Sequence, residues 1–149
     1  MKAVLDDLGL LGFPKTTGSR GIHILVPIAR RYSFEESRGF AEDVGRAARE
    51  RAPRLVTLEV AKEHRRGVYV DYLQNVRAKT TAGPYSVRPI RRAPVSAPLS
   101  WDELGAMGRP DAFTIADLPE RLARVGDLLA PSLGLEQALP PRTARGLTR

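Results

Sequence analysis

A loop rich in glycine and hydroxyl residues precedes an apolar, strand-like run near the start of the sequence. It covers residues 16–21 (TTGSRG), and Lys15 comes directly before it. Glycine lets the backbone turn its N–H groups toward an anion, hydroxyls donate hydrogen bonds, and the cations Lys15 and Arg20 neutralise phosphate charge. The Gly-Lys-Ser/Thr ending and the following helix of a Walker A loop are missing. The segment therefore predicts a phosphate-binding loop of another kind, with an ordinary Gly/Ser turn as the alternative.

His23 stands two residues beyond this loop, in the apolar run GIHILVPI. In a strand over 22–28, the isoleucines and Val26 share one face and His23 lies on the other. Its position beside the loop favours a role as a donor to a phosphate oxygen. The alternative is a strand histidine with no ligand at all.

Asp71 follows the apolar residues Val68–Val70. A carboxylate in an apolar strand is costly to bury without a partner. It is either paired with a nearby arginine or serves as an oxygen ligand for Mg²⁺ or Mn²⁺. Two-metal phosphoryl transfer needs more than one acid, and no Asp-x-Asp pair falls on a predicted strand. By this argument alone, the chain contains part of a metal site.

Positive charge is concentrated before residue 101. Residues 1–100 hold 18 Lys and Arg against 10 Asp and Glu, a net charge of +8, whereas residues 101–149 hold 6 against 7, a net of −1. This asymmetry favours a polyanionic partner, with a solvated basic face as the alternative. The segment after Asp71 combines basic, aromatic and hydroxyl residues that suit phosphate or base contacts: Asn75, Arg77, Lys79, Tyr85, Ser86, Arg88, Arg91 and Arg92.

The composition excludes several other classes of protein. The chain has 149 residues, no Cys and two His, which excludes a disulfide scaffold, a thiolate zinc site and a Cys nucleophile. No apolar run approaches the roughly 18 residues that span a bilayer, and the N-terminus has no signal-peptide pattern. We therefore predict a cytoplasmic protein without a membrane partner. One compact domain is expected over 1–135, with a flexible C-terminal tail over 136–149.

Helix signals divide the first third of the chain. A short helix over 2–11 is predicted before a loop over 13–21. Ser33 and Glu36 have the spacing of a capping box, so a second helix is expected to begin there and to end near Arg51.

Two further apolar runs, 55–60 and 67–73, predict strands. The polar linker AKEHRRG between them predicts an antiparallel hairpin. Together with the strand over 22–28 and the intervening helix, they would form a βαβ-type unit with the hairpin appended.

The proline-rich segment 81–101 predicts an extended loop that wraps a surface, or a flexible arm. A second capping box, at Ser100 and Glu103, begins a short helix. An amphipathic helix over 117–130 would bury a stripe formed by Leu118, Leu122, Val125 and Leu129.

Taken together, several motifs resemble the polymerase domain of bacterial ligase D, the end-joining DNA ligase, within the archaeo-eukaryotic primase superfamily. They occur in the family's order over residues 1–130: FPKTTGSRGIHILVPI, VYVDYLQN, PYSVRP, WDEL and DAFTI. The resemblance implies an α+β fold with an antiparallel or mixed sheet and helices on one face, as part of a primase-type catalytic core. It implies a DNA repair enzyme of non-homologous end joining, a nucleotidyltransferase that adds nucleotides to primer ends.

The resemblance also implies roles for individual residues. Ser19, Arg20, His23, Gln74 and Arg88 would bind the incoming nucleoside triphosphate, and Asp71 would be a catalytic, metal-binding carboxylate for Mn²⁺ or Mg²⁺. Lys15, Arg77 and Lys79 are expected to contact DNA. The implied partners are DNA ends, a nucleoside triphosphate, Ku and a ligase module.

The sequence departs from the family pattern at the first motif. The Asp-x-Asp pair on a strand would precede Met1 and is absent, which removes two of the three metal-binding acids. Three explanations stay open: a fragment or misassigned start, a separate chain that supplies the N-terminal half, or a degenerate remnant. The alternative function is a catalytically silent nucleic-acid or nucleotide binder.

Overall fold

The computed structural model describes residues 1–143, 146 and 147, the last four of these by their backbone alone. Of the predicted flexible tail over 136–149, residues 144, 145, 148 and 149 lie outside the described residues. The chain divides into two compact units. The first unit comprises residues 1–10, 28–79 and those from 136 onward, and the second unit comprises residues 11–27 and 80–135. The domain boundaries at 135 and 136 stay a prediction.

Two helices form the core of the first unit. Helix α1 spans Lys2–Asp7, and α2 spans Phe34–Arg51 and contacts it. The predicted capping box is confirmed, since Ser33 Oγ accepts from Glu36 N at 3.1 Å and Ser33 N donates to Glu36 Oε2 at 2.7 Å. The buried apolar residues of the two helices are Val4, Leu5, Phe40, Val44 and Ala48.

The sheet of the first unit is parallel, so the predicted antiparallel hairpin is wrong. Strands β3 (Val56–Thr57) and β4 (Val68–Tyr69) run in the same direction. Between them lies a 3₁₀ helix, Lys62–His64, and the Arg65 guanidinium donates to the carbonyls of Glu59 and Val60. These bonds fold the linker back on itself, so the chain re-enters beside the start of β3. Gly67 permits this re-entry with a φ of +80°, which favours glycine.

The remaining elements of the first unit involve its C-terminal residues. Ala29 N donates to the Gln137 carbonyl at 3.0 Å, and Leu139 N donates to the Tyr32 hydroxyl at 2.9 Å. Beyond them, β5 (Arg142–Thr143) and β6 (Gly146–Leu147) pair as an antiparallel hairpin.

An antiparallel ribbon organises the second unit. Strand β1 covers Phe13–Thr16 and β2 covers Ile22–Leu25, so the predicted loop over 13–21 is limited to residues 17–21. Residues 95–99 run along the other edge of β1, where Thr16 N donates to the Ala97 carbonyl at 2.8 Å. This long-range pairing, which local sequence does not encode, adds backbone hydrogen bonds to the second edge of β1. The predicted βαβ-type unit is not found, because β2 and β3 belong to separate two-stranded sheets.

The proline-rich segment folds back on itself. Arg88 N donates to the Pro94 carbonyl and Ser96 N donates to the Ser86 carbonyl, at 2.8 and 2.9 Å. We call residues 85–96 the arginine hairpin. Its tip has left-handed backbone at Arg92 and Ala93.

Two short helices complete the second unit. Helix α3 (Trp101–Ala106) begins at the predicted capping box of Ser100 and Glu103, which is confirmed. Helix α4 (Leu118–Val125) is shorter than predicted, since Gly126 ends it with a φ of +68°. The predicted apolar stripe is also wrong in part, because the buried residue of α4 is Arg121 while Leu122 is exposed.

The elements confirm the α+β fold class, with small sheets rather than one larger sheet. Among the helices in the described part of the chain, none has the length and apolar character needed to cross a membrane.

Candidate functional site

Residues 17–21 form a tight turn that Thr17 organises. Its Oγ1 accepts from the backbone N–H groups of Ser19 and Gly21, both at 3.2 Å, and Thr17 N donates to the Gly21 carbonyl at 3.0 Å. Sequence reasoning singled out Ser19 and Arg20 but gave Thr17 no separate role. Because two N–H groups of the turn are already bonded to Thr17, the cations around the turn are better placed to bind an anion than these two amides are.

Two cationic side chains, Lys15 and Arg88, and the imidazole of His23 lie close to this turn in the second unit. Lys15 and His23 are cross-strand partners in the β1–β2 ribbon, so their side chains share one face. Arg88 reaches the turn from the arginine hairpin, with its Cγ 2.7 Å from where a Cβ on Gly18 would stand. The structure thus brings together four residues that the sequence predicted for phosphate binding, Ser19 and Arg20 in the turn and His23 and Arg88 beside it.

The electrostatics of this cluster favour an anion. Burial lowers the pKa of His23, and the charges of Lys15 and Arg88 lower it further. Burial, followed by the charge of Arg88, lowers the pKa of Lys15 to about 8. Within residues 1–143, none of Lys15, Arg20, His23 and Arg88 forms an ion pair. Positive charge held together without a carboxylate favours a bound polyanion.

Two buried nitrogen atoms of the cluster have no hydrogen-bond partner among the described residues. They are His23 Nδ1 and Arg88 Nε. Buried polar atoms in native proteins are nearly always bonded, so each such atom calls for an explanation. A phosphate group would supply acceptor oxygens for the guanidinium and for an imidazole N–H.

Lys15 is placed differently from the prediction. It is 1% exposed, and its Nζ donates to Ser96 Oγ and to the Ala82 carbonyl, at 2.5 and 2.8 Å. The predicted DNA contact by Lys15 is therefore not supported, because its ammonium is enclosed by protein. Nothing in the sequence distinguishes Lys15 from an exposed cation beside a loop.

Asp71 belongs to the first unit, directly after β4. It is exposed, and its Oδ2 accepts from Gln74 Nε2 at 3.3 Å, across the 3₁₀ helix Tyr72–Gln74. The alternative of a salt bridge to arginine is not observed in the part of the chain that the structure describes. Nearby Arg65 instead bonds to backbone carbonyls and lies 3.6 Å over the Tyr69 ring. The predicted metal-binding carboxylate, Asp71, and the predicted nucleotide-binding residue Gln74 are thus neighbours.

The described residues do not complete a site for a divalent cation. Among them there is no group of three or more His, Cys, Asp or Glu side chains that could hold a metal ion. Asp71 offers one carboxylate, whereas Mg²⁺ and Mn²⁺ require several oxygen ligands. The other predicted contacts of this unit, Arg77 and Lys79, are exposed.

Replacing Gly18 with alanine is expected to disturb both the turn and the arginine hairpin. Gly18 has a φ of +64°, and an added Cβ would lie 2.7 Å from Arg88 Cγ and 3.0 Å from the Val95 carbonyl carbon. Left-handed backbone and this contact together should lower the free energy of unfolding by on the order of 2 kcal/mol, measured by urea denaturation.

A matched control lies in the same turn. A Cβ on Gly21 would meet only Thr17, at 3.6 Å or more, and Gly21 has no left-handed φ. Gly21→Ala should therefore cost less than about 0.5 kcal/mol. Equal losses in the two variants would contradict the packing of Gly18 against Arg88.

The fold and this cluster define the protein as an α+β domain in which Lys15 and Arg88 place positive charge beside the 17–21 turn. Residues 1–129 match the family model described as LigD, primase-polymerase domain. The chain is 34% identical over 149 residues to the multifunctional non-homologous end joining protein LigD of Pseudomonas aeruginosa, covering 98% of this chain and 18% of that protein. It is 33% identical over 128 residues to the bifunctional protein LigD of Bacillus subtilis, covering 85% of this chain and 21% of that protein.

A solved structure agrees with these relatives. The polymerase domain from Mycobacterium tuberculosis ligase D in complex with DNA superposes with a TM-score of 0.78 at 37% identity, covering 87% of this chain and 46% of that one. The chain therefore belongs to the LigD primase-polymerase domain family. It spans about a fifth of the length of the curated relatives and about half of the solved polymerase domain.

Proposed function

We propose that this chain forms part of a primase-polymerase domain that adds nucleotides to DNA ends during end-joining repair. The observation that supports the proposal is the cluster of Lys15, His23 and Arg88 around the 17–21 turn. It holds positive charge and two unpartnered nitrogen atoms without a described carboxylate. That chemistry suits the triphosphate of an incoming nucleotide.

In the proposed reaction, the 3′-hydroxyl oxygen of a DNA primer bonds to the α-phosphorus of the nucleotide. The bond from that phosphorus to the bridging oxygen breaks, pyrophosphate leaves, and the hydroxyl proton passes to solvent. Phosphoryl transfer of this kind relies mainly on positioning and charge neutralisation. Ser19, Arg20, His23 and Arg88 would hold the phosphates, and Gln74 would contribute to the nucleotide site.

The expected cofactor is Mn²⁺ or Mg²⁺, with Asp71 as one oxygen ligand. Since the described residues do not complete such a site, its other ligands would come from substrate or from a separate chain. DNA ends would bind through exposed cations such as Arg77 and Lys79, and Ku and a ligase module are proposed as further partners.

The assignment of the phosphate-binding cluster predicts the effect of two substitutions. Arg20→Ala and Arg88→Ala should each weaken the binding of a nucleoside triphosphate by about 10- to 100-fold, because each removes a charge-assisted hydrogen bond. Isothermal titration calorimetry with ATP measures this directly. The exposed Arg38 of α2 lies outside the cluster, so Arg38→Ala serves as the control. Unchanged affinity in both cluster variants would contradict the assignment.

A second candidate function is a catalytically silent binder of nucleotides or nucleic acid. The absence of a three-ligand metal group among the described residues favours it. Primer extension with Mn²⁺ separates the two functions, with the chain alone and with an added chain that carries an Asp-x-Asp strand. Tight DNA and nucleotide binding without extension in either case would favour the binder.

A further inference from the structure

Lys15 is a buried cation whose hydrogen bonds all go to neutral acceptors. Its Nζ donates to Ser96 Oγ at 2.5 Å, to the Ala82 carbonyl at 2.8 Å and to the Thr16 carbonyl at 3.3 Å. Ser96 is itself fully buried, and its hydroxyl donates to the Thr16 carbonyl at 2.8 Å. The ammonium therefore joins β1 to residue 82, before the arginine hairpin, and to Ser96 at its end.

No described carboxylate compensates this charge. Across the ribbon, β2 presents His23, and the arginine hairpin presents Arg88. Helix α3 also contacts β1, but its Glu103 is bonded to Arg121 and its Asp102 is exposed. Burying an ammonium without an opposite charge is unfavourable, and a polyanion bound at the turn would offset that cost.

We infer that Lys15 is a positioning residue for the triphosphate: from its buried place it anchors the arginine hairpin and supplies positive charge to the turn without touching DNA. The inference rests on the proposed function, since it assumes that the 17–21 turn binds a nucleoside triphosphate. This role differs from the predicted DNA contact, because Lys15 would act through its charge on a triphosphate bound at the 17–21 turn.

A dependence on pH follows from this placement. In the free protein, the pKa of Lys15 is lowered to about 8, so the side chain loses its proton as the pH rises past that value. A bound triphosphate favours the protonated form, so binding should draw a proton from solvent between about pH 8 and 10. His23 does not titrate in that range, because its pKa is lowered from 6.5.

Calorimetry on the full chain tests the inference, with ATP as the probe at pH 7.0 to 9.5 and no added metal. We expect the affinity of the unsubstituted protein to fall about 3-fold or more between pH 7 and pH 9. Lys15→Met should bind about 10-fold more weakly at pH 7, with a flat pH profile. Lys62→Met, at an exposed lysine of the first unit, should match the unsubstituted protein.

Proton uptake gives a measurement that does not depend on folding of the variant. Titrations at pH 8.5 in buffers of different ionisation enthalpy should show net proton uptake on triphosphate binding. Absent uptake together with a flat affinity profile would overturn the role of Lys15, as would full affinity in a folded Lys15→Met. If the unsubstituted protein does not bind ATP, the proposed function fails as well. If Arg88→Ala loses binding while Lys15→Met keeps it, only this inference fails.

Discussion

Substitution of Arg121 by alanine is expected to lower the free energy of unfolding by about 3–5 kcal/mol. The Arg121 side chain is 5% exposed on α4. Its guanidinium donates to Glu103 Oε1 at 2.5 Å, to Glu103 Oε2 at 2.8 Å and to the Pro98 carbonyl at 2.7 Å, and it lies 4.3 Å from the centre of the Phe113 ring. Removing it leaves the Pro98 carbonyl without this donor and the partly buried Glu103 carboxylate without its cationic partner, although Ser100 N still donates to that carboxylate.

Urea denaturation of the full chain measures this loss. The exposed Arg124 on the same helix provides the control, and Arg124→Ala should stay within about 0.5 kcal/mol of the unsubstituted protein. A loss below 1 kcal/mol for Arg121→Ala would show that the bidentate pair is solvated and contributes little.

The Arg121–Glu103 pair should also make the free energy of unfolding depend on pH in the acid range. Hydrogen bonding by Arg121 lowers the pKa of Glu103 in the folded protein below its ordinary value of 4.5. The stability that this pair contributes is therefore present above about pH 4.5 and is lost as the pH falls through the lowered pKa. In Arg121→Ala, this part of the acid dependence should be weaker.

The parts of the fold that sequence predicts are those with local causes. The helices that follow Ser33 and Ser100 begin at capping boxes, whose two hydrogen bonds join residues three apart. A strand around His23 follows from β-branched residues that alternate with others. Such signals need no knowledge of what packs against them.

The parts that sequence does not predict depend on distant partners. Residues 13–16 pair with β2 on one edge, and on the other edge they bond to residues 95–99, about eighty positions further along the chain. Strand β4 runs parallel to β3, and in the linker between them Arg65 bonds to the carbonyls of Glu59 and Val60. The amphipathic pattern predicted that Leu118 and Leu122 of α4 are buried. The buried side chain of this helix is instead Arg121, which is bonded to Glu103.

The candidate site divides in the same way. Ser19, Arg20 and His23 could be predicted because loop and strand are adjacent in sequence, and Arg88 through a family motif. Lys15 was predicted to contact DNA. Its burial could not be predicted from neighbouring residues, because it arises from Ser96 and Ala82, which are more than sixty residues away. Long-range hydrogen bonds of this kind leave no local pattern.

Loss of the Asp71 carboxylate is expected to remove primer extension while the fold is kept. Asp71 is exposed, and its hydrogen bond in the described structure comes from Gln74, at 3.3 Å. Asp71→Asn keeps the shape of the side chain, so the free energy of unfolding should change by less than about 0.5 kcal/mol.

Extension should nevertheless fall on the order of 100-fold or more, because charge neutralisation at the reacting phosphate dominates this chemistry. The assay is Mn²⁺-dependent primer extension, with the chain alone and with an added chain that carries an Asp-x-Asp strand. Glu63→Gln removes an exposed carboxylate in the same unit and should leave extension unchanged. If Asp71→Asn keeps the free energy of unfolding but loses extension, the carboxylate of Asp71 acts in the reaction rather than in the fold. Equal extension by Asp71→Asn and the unsubstituted protein would instead show that Asp71 is an ordinary surface residue.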